Sequence, residues 1–125
     1  MTPLLFIALS CAGGLGAVAR MVLDGVLKSH LVTGVPWATV TINLSGSLAL
    51  GLLTGMAAEA VLPQPWLLIL GTGFLGGYTT FSTASYETVR LLQQRRWGLS
   101  LASGVGTLVM ATALAGLGLW LGHLM

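Results

Sequence analysis

Four stretches of the chain, 2–19, 31–58, 60–86 and 97–125, contain no Asp, Glu, Lys or Arg. A helix needs about 20 apolar residues to cross a hydrocarbon layer roughly 30 Å thick. Each stretch has the length for one crossing, the first barely. A water-soluble domain is excluded, because only 6% of the 125 residues are charged where soluble domains carry about a quarter. The chain reads as an all-α membrane protein, a single integral domain over 1–125. Its helices are expected at 3–23, 37–58, 65–92 and 98–122, with short connections at 24–36, 59–64 and 93–97. Trp37, Trp66, Trp97 and Trp120 fall near the proposed helix ends, where an amphipathic indole favours the headgroup level. The first stretch lacks a basic leader and is interrupted by Gly13, Gly14 and Gly16, so it does not read as a removable signal peptide. Cys11 is alone, which excludes an intrachain disulfide.

The formal charge of +2 is too small and too scattered for a nucleic-acid surface. Lys28, Arg90, Arg95 and Arg96 all fall on the side of the first and third connections, and the opposite side has no Lys or Arg. The positive-inside rule then places both termini outside. Small residues recur every fourth position: Ala8, Ala12 and Gly16; Ser47, Gly51 and Gly55; Ala102 and Gly106; Gly118 and Gly122. Lipid gives helices no hydrophobic reason to associate, so such stripes predict close backbone contact. Four helices seldom enclose a pathway alone, and a second subunit is expected.

The chemistry concentrates in GGYTTFSTAS, residues 76–85. A glycine pair in mid-span weakens a helix, and the third helix is expected to break there. Non-helical backbone survives at membrane depth only where protein or a wet cavity satisfies it. Freed carbonyls of broken helices often coordinate cations. The bland alternative is an intact helix whose hydroxyls bond back to the preceding turn. Asn43 is costly in hydrocarbon without partners, and its two N–H donors suit a small anion. Thr39 shares its helix face, which Ser47 and Gly51 continue. Phe81 can offer a positive ring edge to an anion, and Ser82, Thr83 and Ser85 add hydroxyls. Arg20 is the cation well inside a proposed span, a functional candidate by position, with Asp24 four residues on as a possible mate. Glu87 ends the polar tract. Residues 71–76 match G-x-G-x-x-G, but a membrane span lacks the βαβ setting that fingerprint requires. His30 and His123 lie near span ends, and no catalytic set or metal cluster is recognisable, so an enzyme is not expected.

Three blocks, GGLGAVAR at 13–20, PWATVTINLSGS at 36–47 and GFLGGYTTFSTASYE at 73–87, carry a resemblance to the Fluc/CrcB-type fluoride channels of bacteria. With size and layout included it covers essentially the whole chain. The resemblance implies an antiparallel, dual-topology homodimer in the bacterial cytoplasmic (inner) membrane, with two narrow anion pathways and passive export of fluoride. Asn43 matches the pore asparagine, Phe81 the first pore phenylalanine, Ser82, Thr83 and Glu87 the polar tract, and Arg20 the vestibule arginine. Gly76 and Thr79 match the positions whose carbonyls hold a central structural sodium. Thr39, Ser85, Ser103 and Thr107 are further pathway candidates. The second pore phenylalanine falls on Ala84, and the one-sided loop charge differs from the balance dual topology calls for. The chain is thus expected to pair with itself or, oppositely oriented, with a paralogue. A small multidrug exporter, which needs a carboxylate within a span, and a non-transporting assembly subunit are the competing readings.

Overall fold

The computed structural model describes residues 2–30 and 36–125. Helix α1 runs from Pro3 to His30, past the expected end at Leu23. Asp24 and Lys28, one turn apart, join their charges at 3.1 Å, and such pairs support a helix. Lys28 and His30 occupy its last turn, where cations complement the helix dipole. The connection expected over 24–36 is therefore helical to His30, and its positions 31–35 lie outside the described residues. The pairing of Arg20 with Asp24 is corrected by the same contact, since Asp24 turns to Lys28 instead.

Helix α2 is Trp37–Ala58, as expected. The third crossing is two helices: α3 over 64–78 and α4 over Phe81–Gln93. Helix α5, Trp97–His123, completes the chain. Of these, α1, α2 and α5 are each long and apolar enough to cross a membrane unaided. Leu68–Leu75 within α3 and Ala102–Gly106 within α5 are wound as π-helix, a form found mostly as single-turn bulges, frequently at functional sites. Helices α2 and α4 end alike. Ala60 and Arg95 adopt φ 59°, Val61 N–H reaches Met56 O at 2.9 Å, and Arg96 N–H reaches Leu91 O at 3.0 Å. This is the Schellman stop, with a side chain where glycine is usual.

The small-residue stripes of α2 and α5 meet reciprocally. A Cβ on Gly51 would lie 2.1 Å from Ala115 O, and one on Gly118 would lie 2.3 Å from Leu48 O. Gly55 and Gly122 abut the opposite backbone in the same way. At one end of this seam His123 Nδ1 meets Glu59 Oε1 at 2.7 Å. Helix α1 packs on α3, where Gly16 lies under Phe74 O and Gly77 under Gly13 O, each leaving only 2.0 Å for a Cβ. A Cβ on Gly106 would meet nothing within 4 Å, so among the described residues Gly106 makes no such contact. Few apolar side chains are buried, chiefly Ile42, Leu75 and Leu91, while Leu4, Leu15, Met21 and Leu108 stand exposed. A bilayer is the solvent that suits such a surface.

Candidate functional site

The third crossing parts at Thr79–Thr80. Thr79 has φ −82° and ψ 159°, and Thr80 φ −144° and ψ 121°, so both are extended. The glycine pair is not the break: Gly76–Tyr78 is helical, and Gly76 itself sits at φ −61° and ψ −39°. Gly77 instead provides the close approach to α1 described above. The parting falls on two β-branched residues, which favour extended backbone.

Asn43 of α2 holds the break open. Its Oδ1 accepts from Thr80 N–H at 2.8 Å, and its Nδ2 donates to Thr80 O at 2.9 Å. One carboxamide thus satisfies both backbone groups of the extended residue, which would otherwise be expensive to leave bare in hydrocarbon. Thr80 Oγ1 caps α4 by accepting from Thr83 N–H at 3.2 Å, as N-cap residues do. Gly46 leaves room for Thr79 Cγ2, which would lie 2.3 Å from a Cβ there. Ser45 Oγ donates to Ile42 O at 3.0 Å and therefore accepts from Tyr78 OH, also at 3.0 Å. The Tyr78 ring stacks on Phe74 with centroids 6.1 Å apart.

These bonds redirect two amides. In a continuous helix Thr80 N–H would donate to Gly76 O and Thr83 N–H to Thr79 O. Here they go to Asn43 Oδ1 and Thr80 Oγ1. With Phe81 and Ser82 now opening α4, the carbonyls of Gly76, Gly77, Tyr78 and Thr79 all lack their helical donors. They are uncharged oxygen donors, the kind that unwound membrane helices turn towards sodium.

A groove of about 790 Å³ opens on this break. It brings together Asn43, Gly76, Thr79, Phe81, Ser85, Ser103 and Thr107 from the expected site. Ala84, which stands where the resemblance has its second pore phenylalanine, also lines it. Phe81 is 86% exposed at its edge. The groove's hydroxyls are of two kinds. Thr79 and Thr88 donate back to their own helices, as Ser10, Thr54 and Thr112 do elsewhere. Ser47, Thr72, Ser85, Ser103 and Thr107, all in the lining, make no hydrogen bond to any described residue. Ser103 lies in the π-helical turn of α5.

The remaining expected residues lie apart from the groove. Thr39 is buried, and its Oγ1 donates to Glu87 Oε1 at 2.5 Å, which ties α2 to α4 one turn from Asn43. Thr83 is engaged by Thr80 Oγ1, and Ser82 Oγ lies 3.4 Å from the same oxygen. Arg20 sits half-buried on α1 with no hydrogen bond or ion pair to a described residue. Sequence reasoning passed over Thr80, the residue that Asn43 holds, and Thr72 as a groove hydroxyl, while Ser47 was read only as continuing the Asn43 face. The adjacency of Thr79 and Thr80 was the available signal for the first. Nothing in sequence marks which hydroxyls back-bond and which face a cavity.

The family model described as "CrcB-like protein, Camphor Resistance (CrcB)" matches residues 7–119. Among curated proteins, Fluoride-specific ion channel FluC 1 of Leifsonia xyli subsp. xyli is 59% identical over 124 residues, 99% of this chain and 90% of its own. Fluoride-specific ion channel FluC 2 of Mycobacterium bovis is 38% identical over 124 residues, 99% of this chain and 95% of its own. Fluoride-specific ion channel FluC 2 of Cutibacterium acnes is 45% identical over 115 residues, 86% of this chain and 90% of its own.

Proposed function

Because the chain belongs to the CrcB family, we propose that it is a fluoride channel whose pathway runs along the hydroxyl-lined groove. The observation that carries this reading is the convergence of Ser47, Thr72, Ser85, Ser103 and Thr107, none of them bonded within the described chain. Fluoride is small and tightly hydrated, and a narrow site must replace its lost water with compact donors. Unengaged hydroxyls can donate, and so can the second N–H of Asn43, whose first is committed to Thr80 O. Phe81 adds a ring edge, Ser82 and Thr83 continue the polar line along α4, and Arg20 draws anions to the entrance. Conduction is passive and lets fluoride leave the cytoplasm across the inner membrane.

In this reading a second copy, inverted, closes the groove and covers Phe81. A structural sodium sits at the two-fold axis on the carbonyls of Gly76 and Thr79. The redirected amides of Thr80 and Thr83 support that assignment. Two carbonyls from each copy supply four oxygens, and the ion's chemistry there is structural, holding the two breaks together.

One observation favours a paralogue as the partner. The basic residues Lys28, Arg90, Arg95 and Arg96 end α1 and α4, while the connection 59–64 has none. A bias of this kind drives one orientation, and an inverted partner would then be a different chain. Fluoride efflux from liposomes containing this chain alone tests both statements. Rapid fluoride efflux with chloride retained supports the homodimer. Efflux only after co-insertion of an oppositely biased relative supports the pair. No efflux in either case overturns the channel reading.

A further inference from the structure

Three consecutive residues at the break rest on α2, each by a different contact. Thr80 has its paired bonds to Asn43. Thr79 sets its Cγ2 methyl against Gly46, where a Cβ would lie 2.3 Å away. Tyr78 lays a ring edge over the same glycine, with Cδ2 and Cε2 at 3.4 and 3.7 Å from that Cβ position. The Tyr78 hydroxyl then donates to Ser45 Oγ, and Ser45 Oγ donates onward to Ile42 O, each at 3.0 Å. Ile42 is only 1% exposed, so this line of bonds is anchored on a buried residue.

The ring accounts for the packing by itself. It stacks on Phe74 with an interplanar angle of 15°, and a phenylalanine ring would do the same. The hydroxyl is a separate matter. It stands midway along the third crossing, where an oxygen without a partner is costly, and neither Tyr78 nor Ser45 lines the groove. What its bond fixes is the direction in which α3 ends. Thr79 has little freedom of its own, because its N–H and its Oγ1 both donate to Leu75 O at 2.9 Å. With that hydroxyl committed, Thr79 offers the groove its carbonyl oxygen.

We infer that the Tyr78 hydroxyl, acting through Ser45, is a positioning residue for the cation site at the break. Its bond to α2 before Thr79 complements the Asn43 clamp after it. Together they hold the carbonyls of residues 76–79 in one orientation. The role rests on the sodium reading above and adds to it the side chains that set the site's discrimination. Oxygens held at fixed spacing distinguish ions by size, and oxygens free to spread do so less. Losing the hydroxyl therefore weakens sodium relative to potassium without unfolding α3.

Thermal melting of the full chain in detergent tests this, with its paralogue added if efflux requires one. NaCl or KCl is titrated against N-methylglucamine chloride at constant ionic strength, since a bound ion raises the melting temperature with its occupancy. Tyr78→Phe should raise the sodium concentration for half the shift about fivefold and narrow the preference for sodium over potassium. In saturating sodium it should melt near the unaltered chain. Ser45→Ala should act alike, and the double variant no more than either, because both remove one bond. A Tyr78→Phe chain that melts lower by the same amount at every sodium concentration, with its midpoint unchanged, overturns the proposal and leaves the sodium reading standing. Additive shifts in the double variant overturn it too. An unaltered chain whose melting ignores sodium removes that reading and the positioning role together. Should Tyr78→Phe fail to fold, Ser45→Ala, which keeps the ring, decides by the same titration.

Discussion

Asn43 carries a structural role in its two bonds to Thr80 and, in the proposed pathway, a transport role as well. Its carboxamide is the donor and the acceptor for Thr80, so Asn43→Asp removes the donor and places a negative charge against Thr80 O. Fluoride flux is expected to fall at least tenfold, with a stability loss of about 1–3 kcal/mol from the stranded carbonyl. Efflux assays paired with thermal melts measure both, and wild-type flux in this variant would remove Asn43 from the pathway. Ser103 and Thr107 separate the two roles more cleanly. Their hydroxyls bond nothing within the described chain, so Ser103→Ala and Thr107→Ala should leave stability within about 0.5 kcal/mol while slowing fluoride. Ser100→Ala should do the reverse, losing about 1 kcal/mol with its bond to Thr88 O. Flux untouched by the first two changes would take the groove out of the conduction route.

Among the elements, the neighbouring glycines of α3 make opposite demands. Gly77→Ala drives a Cβ to 2.0 Å from Gly13 O, whereas Gly76→Ala meets nothing within 4 Å. The first should cost several kcal/mol by forcing α1 from α3, and the second should preserve the folded chain, as circular dichroism and melting will report. Ala60 sits at φ 59°, and Ala60→Gly should raise the melting temperature by relieving about 1 kcal/mol of left-handed strain. Most of this layout was readable beforehand. The uncharged runs located α2 and the outer limits of the third and fourth spans, and the spacing of Gly51, Gly55, Gly118 and Gly122 predicted close backbone contact without saying that α2 and α5 would be the pair. The end of α1 was misread because an acid and a base suggested a loop, whereas their four-residue spacing joined them on a helix. The break was placed on the glycines because propensity is local, while its actual position at Thr79–Thr80 depends on Asn43, 37 residues earlier. A contact of that range leaves no periodic trace in the sequence.

For the molecule as a whole, the one-sided loop charge predicts a single orientation. Cysteine labelling from the two sides of the membrane should find both termini outside in nearly all copies, given the basic ends of α1 and α4. An even split would instead restore the self-paired, dual-topology assembly. Assembly also has an order built into it. The amide that parts the third span belongs to α2, which the ribosome delivers first, so the clamp is waiting in the bilayer before its target is made. A third span synthesised without that predecessor would lack any partner for Thr80 and would enter as one unbroken rod.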